Sequence, residues 1–286
     1  MSQSHDWLRP AVLLAAVLAH ASSSACPVSS HERLQANQPL IVSYYWPVVE
    51  QDRDLKAHGM STPNVIDVLA SQGHGSKEVR DHWASRGKLL LHRVYPFKSR
   101  RSEEQLYEYF AENMRGAAGI SIDEVIAHRL TPEQRSVLSR VLKRLRQDFP
   151  EKVVAVWDAS RWTEGNASLL RALRDNADLL ILEVYVRDDE KPASFDVFRK
   201  RRENAEKLAP GVRRKILFGI GAHQKMRRRG QGNFAQHLAA QVKYVRALLL
   251  PSDLQGLAIY APVYLDKSEQ AVVDGAIRQA FFAGEK

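Results

Sequence analysis

The sequence contains a single cysteine, Cys26, among 286 residues. One thiol excludes an intrachain disulfide and any zinc site built from cysteines. The sequence also lacks a GxGxxG or GxxxxGKS/T loop for nucleotide phosphates, a GxSxG elbow for a serine hydrolase, and an HxH or HExxH metal cluster. These absences predict a protein that works without a bound cofactor. The alternative is a metal site formed by residues that are distant in the sequence, namely His92, Asp123, Asp158 and His223.

No apolar run is long enough to cross a bilayer, which takes about 20 residues. The apolar stretch 11–19 follows Arg9 and precedes a series of small residues. A short apolar core ahead of small residues is typical of a secretory signal peptide, which we predict over 1–25. The protein is therefore expected to be exported, to the periplasm or the extracellular space. Cleavage at this point would leave Cys26 first, which resembles a bacterial lipoprotein signal, although Ser23 stands where leucine is usual. Two alternatives remain for this position. Either Cys26 carries a lipid, which is the only membrane attachment that we expect, or the site is an ordinary cleavage site.

Acidic residues are outnumbered, with 33 Asp and Glu against 42 Lys and Arg, so the formal net charge is +9. A surplus of this sign favours anionic partners without identifying one. Export and the lack of a nucleic-acid-binding motif argue against nucleic acid. The hydrophobic fraction of 44% is enough for a sizeable core and excludes a mainly disordered chain.

Apolar, β-rich runs alternate with helical patterns along the chain, which predicts one α/β domain over 39–286 after a linker over 26–38. Long crossovers of this kind join parallel strands that are buried on both faces. We predict a (β/α) TIM-like barrel, with seven evident strands and an eighth strand or a long loop in the gap after the first. A doubly wound sheet is the competing architecture. The predicted strands are 40–46, 88–95, 118–124, 152–158, 178–186, 214–221 and 256–262.

The site of a (β/α) barrel lies at the carboxyl ends of its strands. In this sequence the predicted strand ends and the loops after them carry mainly acids and aromatic or basic side chains. These candidate site residues are Tyr45, Trp46, His92, Arg93, Tyr95, Asp123, Glu124, Trp157, Asp158, Glu183, Tyr185, His223, Tyr260 and Tyr264.

Glu183 interrupts a strand that is otherwise apolar on both faces. Period-two alternation puts Ile181, Glu183 and Tyr185 on one face, and the leucines beside them suit the helix-facing side. Glu183 is therefore predicted to point into the barrel. A buried carboxylate must be paired, protonated or in a wet site. The alternative to a functional role is a structural salt bridge, with Arg93 as the available partner.

The run GISIDE contains a second carboxylate of the same kind. Its two isoleucines share one face, so Ser121 and Asp123 are predicted to point inward, with Glu124 at the strand end. Asp123 and Glu124 are both candidate catalytic residues, although Asp123 could instead cap a turn. Asp158 is either a third acid of the site or a cap for the loop that follows it.

Two carboxylates flanking a cleft are what glycoside hydrolysis requires, and aromatic rings pack on the faces of sugars. In these features the chain resembles the TIM-barrel glycoside hydrolases, through GISIDE and ILEVY, the YYW after the first strand, and the closing GLAIYAP. The resemblance covers 39–283 and implies an oligo- or polysaccharide substrate, with catalytic residues drawn from Asp123, Glu124 and Glu183. The last strand departs from many such enzymes because it carries no carboxylate. A carbohydrate-binding envelope protein on a degenerate barrel is therefore the second hypothesis.

Two basic runs follow predicted strands, at 98–101 and at 225–229, and neither contains an acid. If they flank one cleft, they would raise the local concentration of an anionic ligand. Arg227, in the second run, is a candidate contact for an acidic glycan, since arginine grips carboxylate or sulfate in bidentate fashion. A solvated loop is the alternative.

Overall fold

The protein is described by a computed structural model over residues 29–36, 38–44, 60–69, 77–97, 100–189, 192–227 and 233–283. The predicted signal peptide, Cys26, Tyr45 and Trp46 lie outside these residues.

Eight parallel strands form a closed barrel in sequential order, which confirms the predicted (β/α) barrel. The eighth strand lies in the gap after the first predicted one, where its residues Val65, Ile66 and Asp67 pair with β1. The strands are β1 (Leu40–Tyr44), β2 (Val65–Leu69), β3 (Leu89–Val94), β4 (Gly119–Val125), β5 (Val153–Asp158), β6 (Leu179–Glu183), β7 (Ile216–Gly221) and β8 (Gly256–Tyr260).

Each strand from β2 onward is followed by a helix, and one short helix precedes β1. Ser102 and Thr131 are helix N-caps, because the side chain of each accepts a hydrogen bond from a backbone N–H of the first turn. The helices are α1 (Ser30–Gln35), α2 (Lys77–Ala84), α3 (Glu103–Arg115), α4 (Pro132–Asp148), α5 (Ala167–Asn176), α6 (Asp196–Leu208), α7 (Phe234–Leu248) and α8 (Lys267–Ile277). Among the described helices, none has the length and apolar character needed to span a membrane.

The core has two layers, because side chains along each strand point alternately to the barrel interior and to the helices. Val42, Leu91 and Ile181 belong to the interior layer, whereas Leu180 and Leu182 pack against the helices. Leu34 of α1 belongs to the interior layer as well. The layers hold the strands in fixed register, so the residues at the carboxyl ends of the strands come together above a packed interior.

Candidate active site

A buried ion pair lies inside the barrel between β2 and β3. The Nε of Arg93 donates to Asp67 Oδ1 at 2.9 Å, and both side chains are essentially inaccessible to solvent. The other oxygen of Asp67 accepts from Ser121 Oγ at 2.6 Å and from Trp157 Nε1 at 2.7 Å. Burial raises the pKa of the Asp67 carboxyl, while Arg93 and these two donors oppose the rise. Four consecutive strands thus meet at one carboxylate.

Asp123 lies at the end of β4, and both of its oxygens are held. Tyr44 Oη donates to Asp123 Oδ2 at 2.5 Å, and the backbone N–H of Glu124 donates to Oδ1 at 2.7 Å. Burial raises the pKa of the Tyr44 hydroxyl, so that group stays a hydrogen-bond donor across the ordinary pH range. The guanidinium of Arg93 stacks on the Tyr44 ring, 3.3 Å from its centroid. The ion pair therefore supports the tyrosine that orients Asp123.

Glu124 differs from Asp123 in both backbone and exposure. Its φ is 59°, in the left-handed region that L side chains rarely adopt, and the pairing of β4 with β5 is irregular between Ile122 and Val125. Glu124 is exposed, whereas Asp123 is buried. Ala261, directly after β8, has a similar φ of 54°. Strained backbone of this kind is concentrated at functional sites. Of the two neighbouring acids, Asp123 is the one that lies in the interior.

Glu183 is the last residue of β6 and is only partly exposed. Ile181 lies in the interior layer, and Leu180, Leu182 and Val184 lie in the helix-facing layer, which confirms the predicted alternation. Arg93, its predicted salt-bridge partner, binds Asp67 instead.

The pKa of the Glu183 carboxyl lies near neutral pH. Burial raises its pKa from the ordinary 4.5 to about 7, and the nearby charge of Asp123 adds to the rise, while Tyr185 and Arg201 oppose it. Asp123 is thus close enough to Glu183 for its charge to act on the Glu183 carboxyl. A carboxyl with a pKa near 7 can hold and release a proton at neutral pH.

This raised pKa has a consequence for stability. Between about pH 4.5 and 7 the folded protein binds a proton at Glu183 that the unfolded chain does not, so the wild-type free energy of unfolding falls as pH rises. Glu183→Gln removes this fall, because an amide does not ionise. We expect the variant to gain about 1–3 kcal/mol relative to wild type between about pH 4.5 and pH 8. Urea unfolding of both proteins across this range measures the difference, and parallel curves would contradict the raised pKa.

Five aromatic rings form one contiguous group, and Tyr260 at the end of β8 is its centre. Its ring centroid lies 4.4 Å from that of Tyr44 and 5.5 Å from that of Tyr185. It also lies 5.3 Å from the His223 ring and 6.2 Å from the Trp157 ring. We call Tyr44, Trp157, Tyr185, His223 and Tyr260 the aromatic cluster. Tyr185, His223 and Tyr260 are partly exposed, so this part of the cluster is open to a ligand.

Two glycines in β7 make room for the aromatic cluster. A Cβ on Gly219 would lie 3.2 Å from Cζ3 of Trp157, and one on Gly221 would lie 2.9 Å from Cδ1 of Tyr185. A side chain at Gly221 would collide with the Tyr185 ring, and one at Gly219 would require the Trp157 ring to shift by a few tenths of an ångström. The absence of side chains here lets both rings pack against the strand.

Two polar atoms of the aromatic cluster are buried, Tyr185 Oη and His223 Nδ1. Tyr185 Oη lies next to the Glu183 carboxyl, which helps to raise the pKa of the Tyr185 hydroxyl. His223 Nδ1 makes no hydrogen bond with the described residues. Burial lowers the pKa of His223, so its imidazole is neutral at pH 7. A buried polar atom without a partner is costly, and a ligand hydroxyl or carbonyl can supply the missing hydrogen bond.

Several predicted site residues lie elsewhere. His92 lies between inward-facing neighbours, so its ring faces α3, where Nδ1 is 3.0 Å from the carbonyl of Asn113. Asp158 caps the loop after β5, since it accepts from Ser160 N at 2.9 Å and from Trp162 Nε1 at 2.7 Å. These contacts favour the loop-capping alternative for Asp158. Among the described residues, no group of three or more acidic, histidine or cysteine side chains is placed to share a metal ion.

Tyr95, just after β3, is buried within the site, where its hydroxyl lies next to Tyr44 and Arg93. The other predicted residues lie near the rim. Tyr264 is partly exposed in a short 3-10 helix after β8. Arg227 is exposed but pairs with Glu269, whose oxygens lie 2.6 and 2.7 Å from Nη2. Arg101, in the other basic run, lies over the Tyr109 ring at 4.1 Å. These two arginines therefore already have partners within the protein.

Sequence reasoning missed Asp67 and the role of Tyr44. Asp67 interrupts the apolar run VIDVL just as Glu183 interrupts LLILEV, so the same signal was present. Tyr44 carries no such signal, because its partner Asp123 is 79 positions away.

No protein-family model matches the chain, and no curated protein sequence matches it. Solved structures do resemble it. An endo-beta-N-acetylglucosaminidase from Cordyceps militaris has a TM-score of 0.58 at 10% identity, over 87% of this chain and 95% of that one. A GH18 chitinase from Pseudoalteromonas aurantia has a TM-score of 0.57 at 14% identity, over 84% and 99%. A chitinase from Chromobacterium violaceum has 0.57 at 16%, over 83% and 98%. At these identities the likeness shows the fold alone, a TIM barrel.

Proposed function

We propose that the protein is an exported glycoside hydrolase that cleaves glycosidic bonds with Asp123 and Glu183. The observation that carries the proposal is the pair of carboxylates at the carboxyl end of the barrel, with the partly exposed rings of Tyr185 and Tyr260 beside them. Glycoside hydrolysis needs two carboxyl groups on either side of the scissile bond, one of which must be protonated when the sugar binds.

The two carboxyl groups suit different roles. Glu183, with a pKa of about 7, is the general acid that protonates the leaving oxygen. Asp123, oriented by Tyr44, is the nucleophile or the base that activates water. The anomeric configuration of the first product, followed by NMR, distinguishes these two roles for Asp123, since a nucleophile retains the configuration and a base inverts it.

The aromatic cluster is the proposed sugar-binding surface. The partly exposed rings of Tyr185 and Tyr260 offer flat faces for a pyranose, and His223 Nδ1 offers a hydrogen bond to one of its hydroxyl groups. The solved neighbours are named for chitin and beta-N-acetylglucosaminide hydrolysis, so polymers of N-acetylglucosamine belong in the first substrate panel.

We propose an acidic glycan as the substrate. We also propose export to the periplasm or to the outside of the cell, with or without a lipid on Cys26. The formal charge of +9 supports the acidic substrate, together with Arg100 and Lys225, which are exposed and form no ion pair within the described part of the chain. The direct test is hydrolysis of a glycan panel that contains charged and uncharged members, with Glu183→Gln as control. Binding of a glycan without turnover by wild type would favour the carbohydrate-binding alternative.

The proposed acid predicts the pH dependence of the rate. Because Glu183 must carry a proton to act as acid, kcat/KM on a glycan with a poor leaving group is expected to fall above about pH 7. A substrate with an activated aryl leaving group needs less protonation and should show a smaller fall. Equal pH profiles for the two substrates would contradict the role of Glu183 as acid.

A further inference from the structure

A pocket on the outer flank of the barrel carries more positive charge than the interior site. It lies between the loop after β5 and helix α6, and its volume is about 400 Å³. Its charged and polar lining consists of Ser160, Arg161, Trp162, Lys200, Arg201 and Asn204. We call it the flank pocket. Three of these side chains are cationic, and no acidic side chain lines the pocket.

Arg201 is the fixed cation of the flank pocket. It donates to the backbone carbonyls of Glu183, of Ser160 at 3.0 Å and of Asp158 at 3.3 Å, and its side chain is 22% exposed. Its ion pair is with Oδ2 of Asp158, which is 3.8 Å away and also accepts a hydrogen bond from Trp162. Arg201 is therefore fixed in place, and its ion pair is a long one.

The other two cations are exposed at the pocket mouth. Arg161 is exposed, and its guanidinium forms no ion pair within the described ranges. Lys200 lies 3.1 Å from Asp196, but its side chain is 70% exposed, so water weakens that pair. Elsewhere on the described surface, arginines such as Arg140 and Arg144 pair with glutamates at 2.7 Å or less. The flank pocket thus brings together cations that lack equally close partners.

We propose that the flank pocket binds an acidic sugar residue, through a carboxylate or sulfate group held by Arg161, Lys200 and Arg201. Pockets of about 300–1,000 Å³ accept small organic ligands, so this one has room for a sugar ring as well as its charged group. Arginine binds planar and tetrahedral oxyanions through paired N–H groups. Binding here goes beyond the proposed hydrolysis and does not require it. The carbonyl of Glu183 contacts Arg201, so the flank pocket and the interior site share the end of β6.

The test is calorimetric titration of the purified full chain carrying Glu183→Gln, which prevents turnover during the measurement. The probes are a short oligouronate, its neutral counterpart of equal length, and inorganic sulfate, at constant ionic strength. The variants are Arg161→Gln and Lys200→Gln, both at exposed positions where folding is not at risk. Lys207→Gln, also exposed on α6 but outside the flank pocket, is the matched control.

We expect the oligouronate to bind more tightly than the other two probes. Each pocket variant should weaken oligouronate binding by about fivefold, and the α6 control should leave it unchanged. Absence of oligouronate binding, or binding that neither pocket variant weakens, would overturn the proposal. Sulfate binding as tightly as the oligouronate would show a site for free anions and overturn the sugar part. Hydrolysis of a neutral glycan by wild type is a separate result, so the failure of one proposal does not decide the other.

Discussion

Glu183→Gln is expected to lower the turnover number by about 10²–10⁴-fold or more while the fold stays intact. The amide keeps the shape of the side chain and some of its hydrogen bonding, but it cannot deliver a proton to a leaving group. Because wild-type Glu183 has a pKa of about 7, it is protonated in a large fraction of molecules at neutral pH, so the variant loses a group that is in the required state. The measurement is the initial rate on whichever glycan of the panel the wild type hydrolyses.

Glu164→Gln is the matched control for this loss, since Glu164 is an exposed acid in the loop after β5, with no contact to the carboxylate pair. Its activity should stay near that of wild type. Glu124→Gln tests the assignment at β4, because the exposed Glu124 should tolerate the change better than Asp123→Asn does. If Glu183→Gln keeps near wild-type activity, Glu183 is not catalytic. If the variant fails to fold, Glu183 is buried for a structural reason.

The orientation of Glu183 was predictable because it depends only on local alternation. A carboxylate among Leu180, Leu182 and Val184 must leave the face that those residues share, whatever lies on the other side. The same argument placed Ser121 and Asp123 in the interior, and their contacts with Asp67 and Tyr44 agree with that placement. The argument fails where the backbone leaves the strand conformation, as at Glu124 with its φ of 59°.

Residue type alone was a poorer guide than alternation. His92 is a predicted site residue because it belongs to a predicted strand end. Since the neighbouring Arg93 points inward, however, the His92 ring faces α3. Arg227 is a predicted ligand contact because of its charge, but it forms an ion pair with Glu269, 42 positions later. Partners so distant in sequence depend on the packing of the whole barrel, and single runs of residues do not reveal them.

The largest gap in the sequence prediction was β2. Its five residues, VIDVL, lie in a gap where the sequence allows either a strand or a loop, so Asp67 is not among the predicted site residues. The structure makes Asp67 the acceptor for Arg93, Ser121 and Trp157, so this short strand supplies the anchor beneath the candidate site. Closing the barrel requires the eighth strand, which is a property of the sheet and not of any one segment.

Asp67→Ala is expected to lower the free energy of unfolding by about 3–5 kcal/mol, because it removes the carboxylate that pairs with the buried charge of Arg93. Both members of the pair are 1% exposed or less, so water does not reach the guanidinium to replace the lost carboxylate. Ser121 Oγ and Trp157 Nε1 lose their acceptor as well. Urea unfolding at neutral pH measures the loss.

The control is the double substitution Asp67→Leu with Arg93→Met, which removes both charges and fills the space with apolar atoms. Replacing a buried ion pair in this way is often neutral or stabilising, so the double variant should be more stable than Asp67→Ala. It should nevertheless lose activity, because Arg93 no longer stacks on Tyr44 and the hydrogen bond from Tyr44 to Asp123 loses its support. A double variant that is stable and fully active would show that the ion pair serves neither the fold nor the orientation of Asp123.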